Sequence, residues 1–185
     1  MDRSKFDFDM RKLESLIHYI SYKADREKLS AVKLYKILWF SETTYYQSHK
    51  KPIVGETYVK GAHGPLSCHA KKAIENLKGQ EKMVVSRVNY FNGHKMEYVP
   101  LINPDISCFS AEEISHVDGW IDAICMGTAS GISEFSHNDI WAAADDGEAL
   151  PYSAVFFAPP VPPSAESIAW ARSIAFSENA QEEVC

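Results

Sequence analysis

The residues of this chain that could do chemistry are histidines set beside small or nucleophilic neighbours. Ser136-His137 places a hydroxyl next to an imidazole. His63 sits among small residues in Gly61-Ala62-His63-Gly64-Pro65, where it could serve as a general base or as a polar contact for a partner. Adjacent residues on a helix or strand point in different directions, so Ser136 and His137 do not form a nucleophile–base pair by adjacency. A working pair also needs an orienting acid and an oxyanion hole, and no Gly-x-Ser-x-Gly elbow is present. Ser136 reads as an N-cap, and His137 as an anchor for the turn that follows. A catalytic His63 would need a partner within hydrogen-bond reach, and the sequence shows none. It reads as a side chain that bonds its own turn. No residue is assigned a catalytic role.

A metal reading fares no better. His63, Cys68, His69, His116 and His137 could be assembled into a ligand set, but zinc sites announce themselves as paired ligands at short fixed spacing. The four cysteines, at 68, 108, 125 and 185, form no CxxC or CxxH pair. No metal and no cofactor is assigned.

These residues must be held by helices and short strands. Met10, Leu13, Ile17 and Ile20 make one apolar stripe, which predicts a helix over 9–24, with Asp9 as N-cap and Phe8 stapled to Leu13. A second helix spans 30–49. Leu34, Ile37, Leu38, Trp39, Phe40 and Tyr45 give it too much apolar surface for an exposed helix, so it is the expected centre of the fold. Lys50-Lys51-Pro52 ends it. Residues 53–60 read as a strand. Gly61 to Pro65 then turns the chain into a helix over 66–77, with Pro65 in the first turn, where no N–H is needed. Runs 83–91 and 95–100 flank Asn92-Gly93, a strong hairpin signal. Ser110-Ala111-Glu112-Glu113 is a capping box that opens a helix to 126, with Gly127 beyond its end. Short helical turns are expected at 132–135 and 138–144.

Composition bounds the function classes. The chain has 185 residues, 45% of them hydrophobic and 24% charged, which suits one domain with its own core. A formal net charge of −6 argues against nucleic acid, whose phosphates need clustered Lys and Arg. It is compatible with a basic partner. No apolar run reaches the ~18 residues of a membrane span, and no signal peptide is visible, so a cytoplasmic location with free thiols is expected. Tyrosines are numerous, and tyrosine is enriched at interfaces. Tyr58, His63, Tyr90 and Tyr98 are the candidate partner-binding residues, the last two on an exposed hairpin. Tyr58 and Tyr152 are expected to be partly buried, and Trp141 to pack a short helix onto the core.

Several of these segments resemble one family in order. Lys33-Leu34-Tyr35-Lys36-Ile37-Leu38-Trp39-Phe40 resembles the "KLxKLLYFA" helix of the Panacea domain, or SocA-like antitoxin, family. Pro52-Ile53-Val54-Gly55-Glu56-Thr57-Tyr58 resembles its "PITGDTY" segment, and Gly61 to Pro65 its turn ending in Gly-Pro. Ser136-His137, Trp141 and Leu150-Pro151-Tyr152 resemble its C-terminal elements. Gly64, Pro65, Ser136, His137, Trp141, Pro151 and Tyr152 are therefore the fold-defining motif. Ala62-His63 departs from the family, where an aromatic often precedes the Gly-Pro.

The resemblance implies a phage-associated antitoxin that binds a toxin from a neighbouring gene. An adaptor that hands its toxin to a protease is the alternative mechanism. The order of elements also resembles a winged helix, which would make the chain a DNA-binding regulator of its own operon. The expected fold is α+β and predominantly helical, with a central helix surrounded by helices and one small antiparallel sheet joining the 53–60 strand to the hairpin. The expected organisation is a domain over 1–158, a Pro-rich linker over 159–163, and a C-terminal helix and tail over 164–185.

Overall fold

A computed structural model describes residues 6–90, 93–127, 136–137 and 139–153. The expected turn at 132–135, the linker and the C-terminal helix lie outside the described residues. Among them the order is α1 (Met10–Lys23), α2 (Ala31–His49), β1 (Tyr58–Gly61), β2 (Gly64–Ser67), α3 (Ala70–Gly79), β3 (Met83–Tyr90), β4 (Gly93–Pro100), α4 (Ala111–Met126), α5 (Asp139–Ala143) and β5 (Ala149–Leu150). The fold is α+β and helix-rich, with small antiparallel sheets.

Local chemistry starts the long helices. Asp9 accepts from the backbone N–H groups of Arg11 and Lys12 at 2.9 and 3.1 Å, so two orphan donors of α1 are satisfied. Ser110 and Glu113 form the reciprocal capping box at the head of α4. Its end differs from expectation, since Gly127 is extended (φ −83°) and needs no glycine-only conformation. α2 stops where Lys50 turns left-handed (φ 58°), just before Pro52. Phe8 stacks on the ring of His69 at 4.3 Å, tying the entry of α1 to the start of α3.

α2 is the centre. Leu34, Ile37, Leu38 and Ser41 are fully buried along one face, and Lys36 and Thr43 are buried on the opposite one. A helix is buried all round only when neighbours pack on every side. Here α1, α4 and β2 do so.

The sheets correct several expectations. The strand expected over 53–60 is confined to Tyr58–Gly61, and the hairpin does not join it. One sheet has the order β2-β1-β5, with Tyr58 opposite both Ser67 and Leu150. β3 and β4 form a second, separate ribbon. The segment after Gly61 does not enter a helix. Gly61 pairs with Gly64, and Pro65 lies in β2 opposite Lys60. The helix expected from 66 begins at Ala70. In the second ribbon Gly93 pairs with Tyr90, so it is a strand residue and not part of the turn.

Candidate functional site

Two groups of buried polar side chains flank the β1–β2 hairpin. On one side lie two carboxylates. Glu42, on α2, is fully buried and accepts from the backbone N–H groups of Ile53 and Val54 at 3.1 and 2.7 Å. It therefore pins the irregular segment before β1 to the central helix. Burial raises its pKa to about 7, against the opposing pull of those hydrogen bonds. Tyr152 reaches both Glu42 Oε2, at 3.2 Å, and the Glu56 carbonyl, at 2.6 Å. Its hydroxyl has one proton, so with Glu42 protonated the chain of donation runs Glu42 to Tyr152 to the Glu56 carbonyl.

Glu56 is also buried and closes the passage from β2 to α3. It accepts from Ser67 Oγ at 2.8 Å and from the backbone N–H groups of Thr57 and His69. Ser67 Oγ in turn accepts from the Ala70 N–H at 2.9 Å. These bonds take up donors at the head of α3, which explains why that helix starts after Ser67. The ring of His69 bonds Glu56 through Nδ1 at 2.8 Å. That resembles the base–orienter half of a catalytic triad, with Cys68 alongside. But burial and Glu56 push the Cys68 thiol up, away from the thiolate a nucleophile requires.

On the other side lies Lys36, also on α2 and 1% exposed. Burial lowers its pKa to about 8. It reaches Gly64, whose φ is +99°, and a Cβ placed there would overlap Lys36 Nζ and Ser136 Oγ. Glycine at 64 is thus required twice, by conformation and by space. His137 Cδ2 comes to 3.3 Å of the same point. The His137 ring stacks on Trp141 at 3.7 Å and 4°, and Lys60 Nζ stands 4.6 Å from the centre of the Trp141 ring. Lys60 Nζ also donates to the carbonyls of Ala142 and Ala144, which holds α5 against β1.

The structure therefore brings Gly64, Pro65, Ser136, His137 and Trp141 together, and sets Tyr152 on the carboxylate side. Pro151 is exposed just after β5. The candidate partner residues divide. Tyr58 is 1% and Tyr98 5% exposed, so neither belongs to an exposed contact surface. Tyr98 pairs with Val85 on the face of the ribbon turned to the core. Tyr90 is 46% exposed on the opposite face, and His63 is exposed at the tip of the β1–β2 hairpin. Among the described residues no group of three or more metal-ligating side chains occurs, and no helix is long and apolar enough to cross a membrane.

The buried charges Lys36, Glu42 and Glu56 were not singled out by the sequence reading. For Lys36 and Glu42 the signal is that α2 is apolar on several faces, so a charge on it is buried with it; Glu56, outside that helix, carries no such signal.

This is a helix-rich α+β domain built around one helix that carries buried charge of both signs. Residues 34–142 match the family described as antitoxin SocA-like, Panacea domain, and the chain belongs to that family. No curated protein and no solved structure matches the chain.

Proposed function

We propose that this protein is a cytoplasmic antitoxin that neutralises a toxin encoded beside it by direct binding, with no chemistry of its own. Membership of the SocA-like antitoxin family over residues 34–142 carries this reading. The use of the polar residues supports it. Glu42 and Glu56 hold backbone segments in place, His69 is occupied by Glu56, and His137 is stacked on Trp141.

The contact surface is proposed on the outer face of the β3–β4 ribbon. Register places Val84, Val88, Tyr90 and Val99 on that face, away from Met83, Val85 and Tyr98. Val84 and Tyr90 are each 46% exposed. Ser86, Lys95 and Glu97 share the face, and Lys95 Nζ stands 5.0 Å from the centre of the Tyr90 ring, so Val84 and Tyr90 are apolar anchors among polar neighbours, as at an interface with a polar rim. His63 at the neighbouring hairpin tip is a second candidate contact.

The test is expression of the neighbouring gene alone and together with this chain. Arrest by the first and growth with the second is the expected result. Occlusion leaves the amount of toxin unchanged, whereas an adaptor for a protease lowers it. A harmless neighbour, with salt-dependent binding of this chain to its own promoter, would overturn the proposal in favour of a DNA-binding regulator.

A further inference from the structure

Lys36 differs from the other lysines that approach the core. Lys12 pairs with Glu113 at 2.9 Å, Lys33 donates to the Cys125 carbonyl at 3.3 Å, and Lys60 donates to Ala144 at 2.8 Å. Lys36 is more deeply buried than Lys12 or Lys33, and makes no hydrogen bond or ion pair among the described residues. A buried charge is ordinarily paired, because desolvation is otherwise uncompensated.

The same side chain lines a cavity of about 260 Å³ between the first turns of α2 and the β1–β2 hairpin. Its walls are largely apolar: Val32, Tyr35, Ala62, Pro65 and Leu66. His63 stands among them as a polar group. The volume suits one aliphatic or aromatic side chain and little more. An apolar chamber with one buried cation has the anatomy of a small-ligand site, where a few polar groups fix orientation and apolar walls supply area.

We infer that this cavity binds a carboxylate borne on a short apolar stem, with the Lys36 ammonium as its counter-ion. The stem lies against Val32, Pro65 and Leu66. A carboxylate fits better than phosphate, which carries more charge and more acceptor oxygens than one lysine in apolar walls can satisfy. The carboxylate comes either from a free small acid or from the C-terminal residue of a protein. The inference does not depend on the antitoxin reading.

The test is thermal unfolding of the full chain at pH 7 with hexanoate, its uncharged isostere hexanamide, and inorganic phosphate. A ligand that binds only the folded state raises Tm as its concentration passes Kd. Hexanoate should give a saturable rise of a few degrees, hexanamide and phosphate should give none, and Lys36→Met should abolish the rise while keeping the wild-type circular dichroism spectrum. The peptide acetyl-Gly-Gly-Leu, as acid and as amide, separates the sources. Tighter binding of the peptide acid than of hexanoate assigns the site to a protein C-terminus, and the reverse assigns it to a free acid. Equal shifts with hexanoate and hexanamide, a response that survives Lys36→Met, or no shift with either acid up to about 50 mM would overturn the inference. If Lys36→Met alters the spectrum, Ala62→Trp, which fills the cavity from its exposed wall, must abolish the hexanoate shift in its place.

Discussion

Lys36→Met should make this protein more stable. Methionine keeps a long unbranched side chain of similar size and removes the charge. Burial takes the folded-state pKa of Lys36 from 10.5 to about 8, with no partner acting against it. That difference corresponds to about 3 kcal/mol, and water entering the cavity can only reduce it, so a gain of about 1–3 kcal/mol is expected at neutral pH. The folded pKa lies below the unfolded one. Between pH 8 and 10.5 the unfolded chain therefore holds more protons, and the stability contributed by this group rises with pH. Below pH 8 both states are charged and the whole penalty stands. Urea unfolding of both proteins at several values from pH 6 to 10.5 reads the gap directly. It should be largest below pH 8 and close towards pH 10.5, as effects of other groups cancel between the two proteins. A wild type more stable than the variant at pH 7, or a gap indifferent to pH, would refute the claim that this ammonium is buried without compensation.

Glu42 works in the opposite sense. Its folded pKa is raised from 4.5 to about 7, so its favourable contribution is full below pH 4.5 and is lost as pH rises through 7. Relative to Glu42→Gln, the wild type should lose about 3 kcal/mol across that window in urea titrations. A flat difference would mean that the Glu42 carboxyl titrates in the folded protein as it does in the unfolded chain. Gly64→Ala should cost about 2–4 kcal/mol, from a positive φ and from overlap with Lys36 and Ser136, and melting like the wild type would contradict that packing. Tyr98→Ala should cost about 3 kcal/mol as a core truncation, while Tyr90→Ala should stay within about 0.5 kcal/mol in the same melts. The reverse order would mean that the ribbon faces the other way.

Legibility followed the range of the interactions. The starts of α1, α2 and α4 could be read because an Asp or Ser cap acts on donors two or three residues away. Pro65 misled because its fixed φ suits a strand edge as well as a helix start. What decides between them is the pairing of Gly64–Ser67 with Tyr58–Gly61, together with the Glu56 bonds that start α3 later. Asn92-Gly93 correctly placed the hairpin but not its faces. Tyr90 and Tyr98 fall on opposite faces because of the register, and which face is buried depends on α1 packing against β4. Lys36 and Glu42 look like ordinary solvated charges within a helix. The wide apolar surface of α2 is the one local hint of their burial, which is completed by α1, α4 and β2, elements distant in sequence.

The central claim is that the chain acts by holding a toxin, and co-purification from rescued cells tests it most directly. The neighbouring gene's product is expressed to the point of growth arrest, the tagged chain is supplied, and the tag is recovered after growth resumes. The account predicts that undegraded toxin returns with the tag in a stable complex, and that the bound toxin regains activity when the complex is dissociated. Rescued growth with chemically altered toxin and no complex would contradict it.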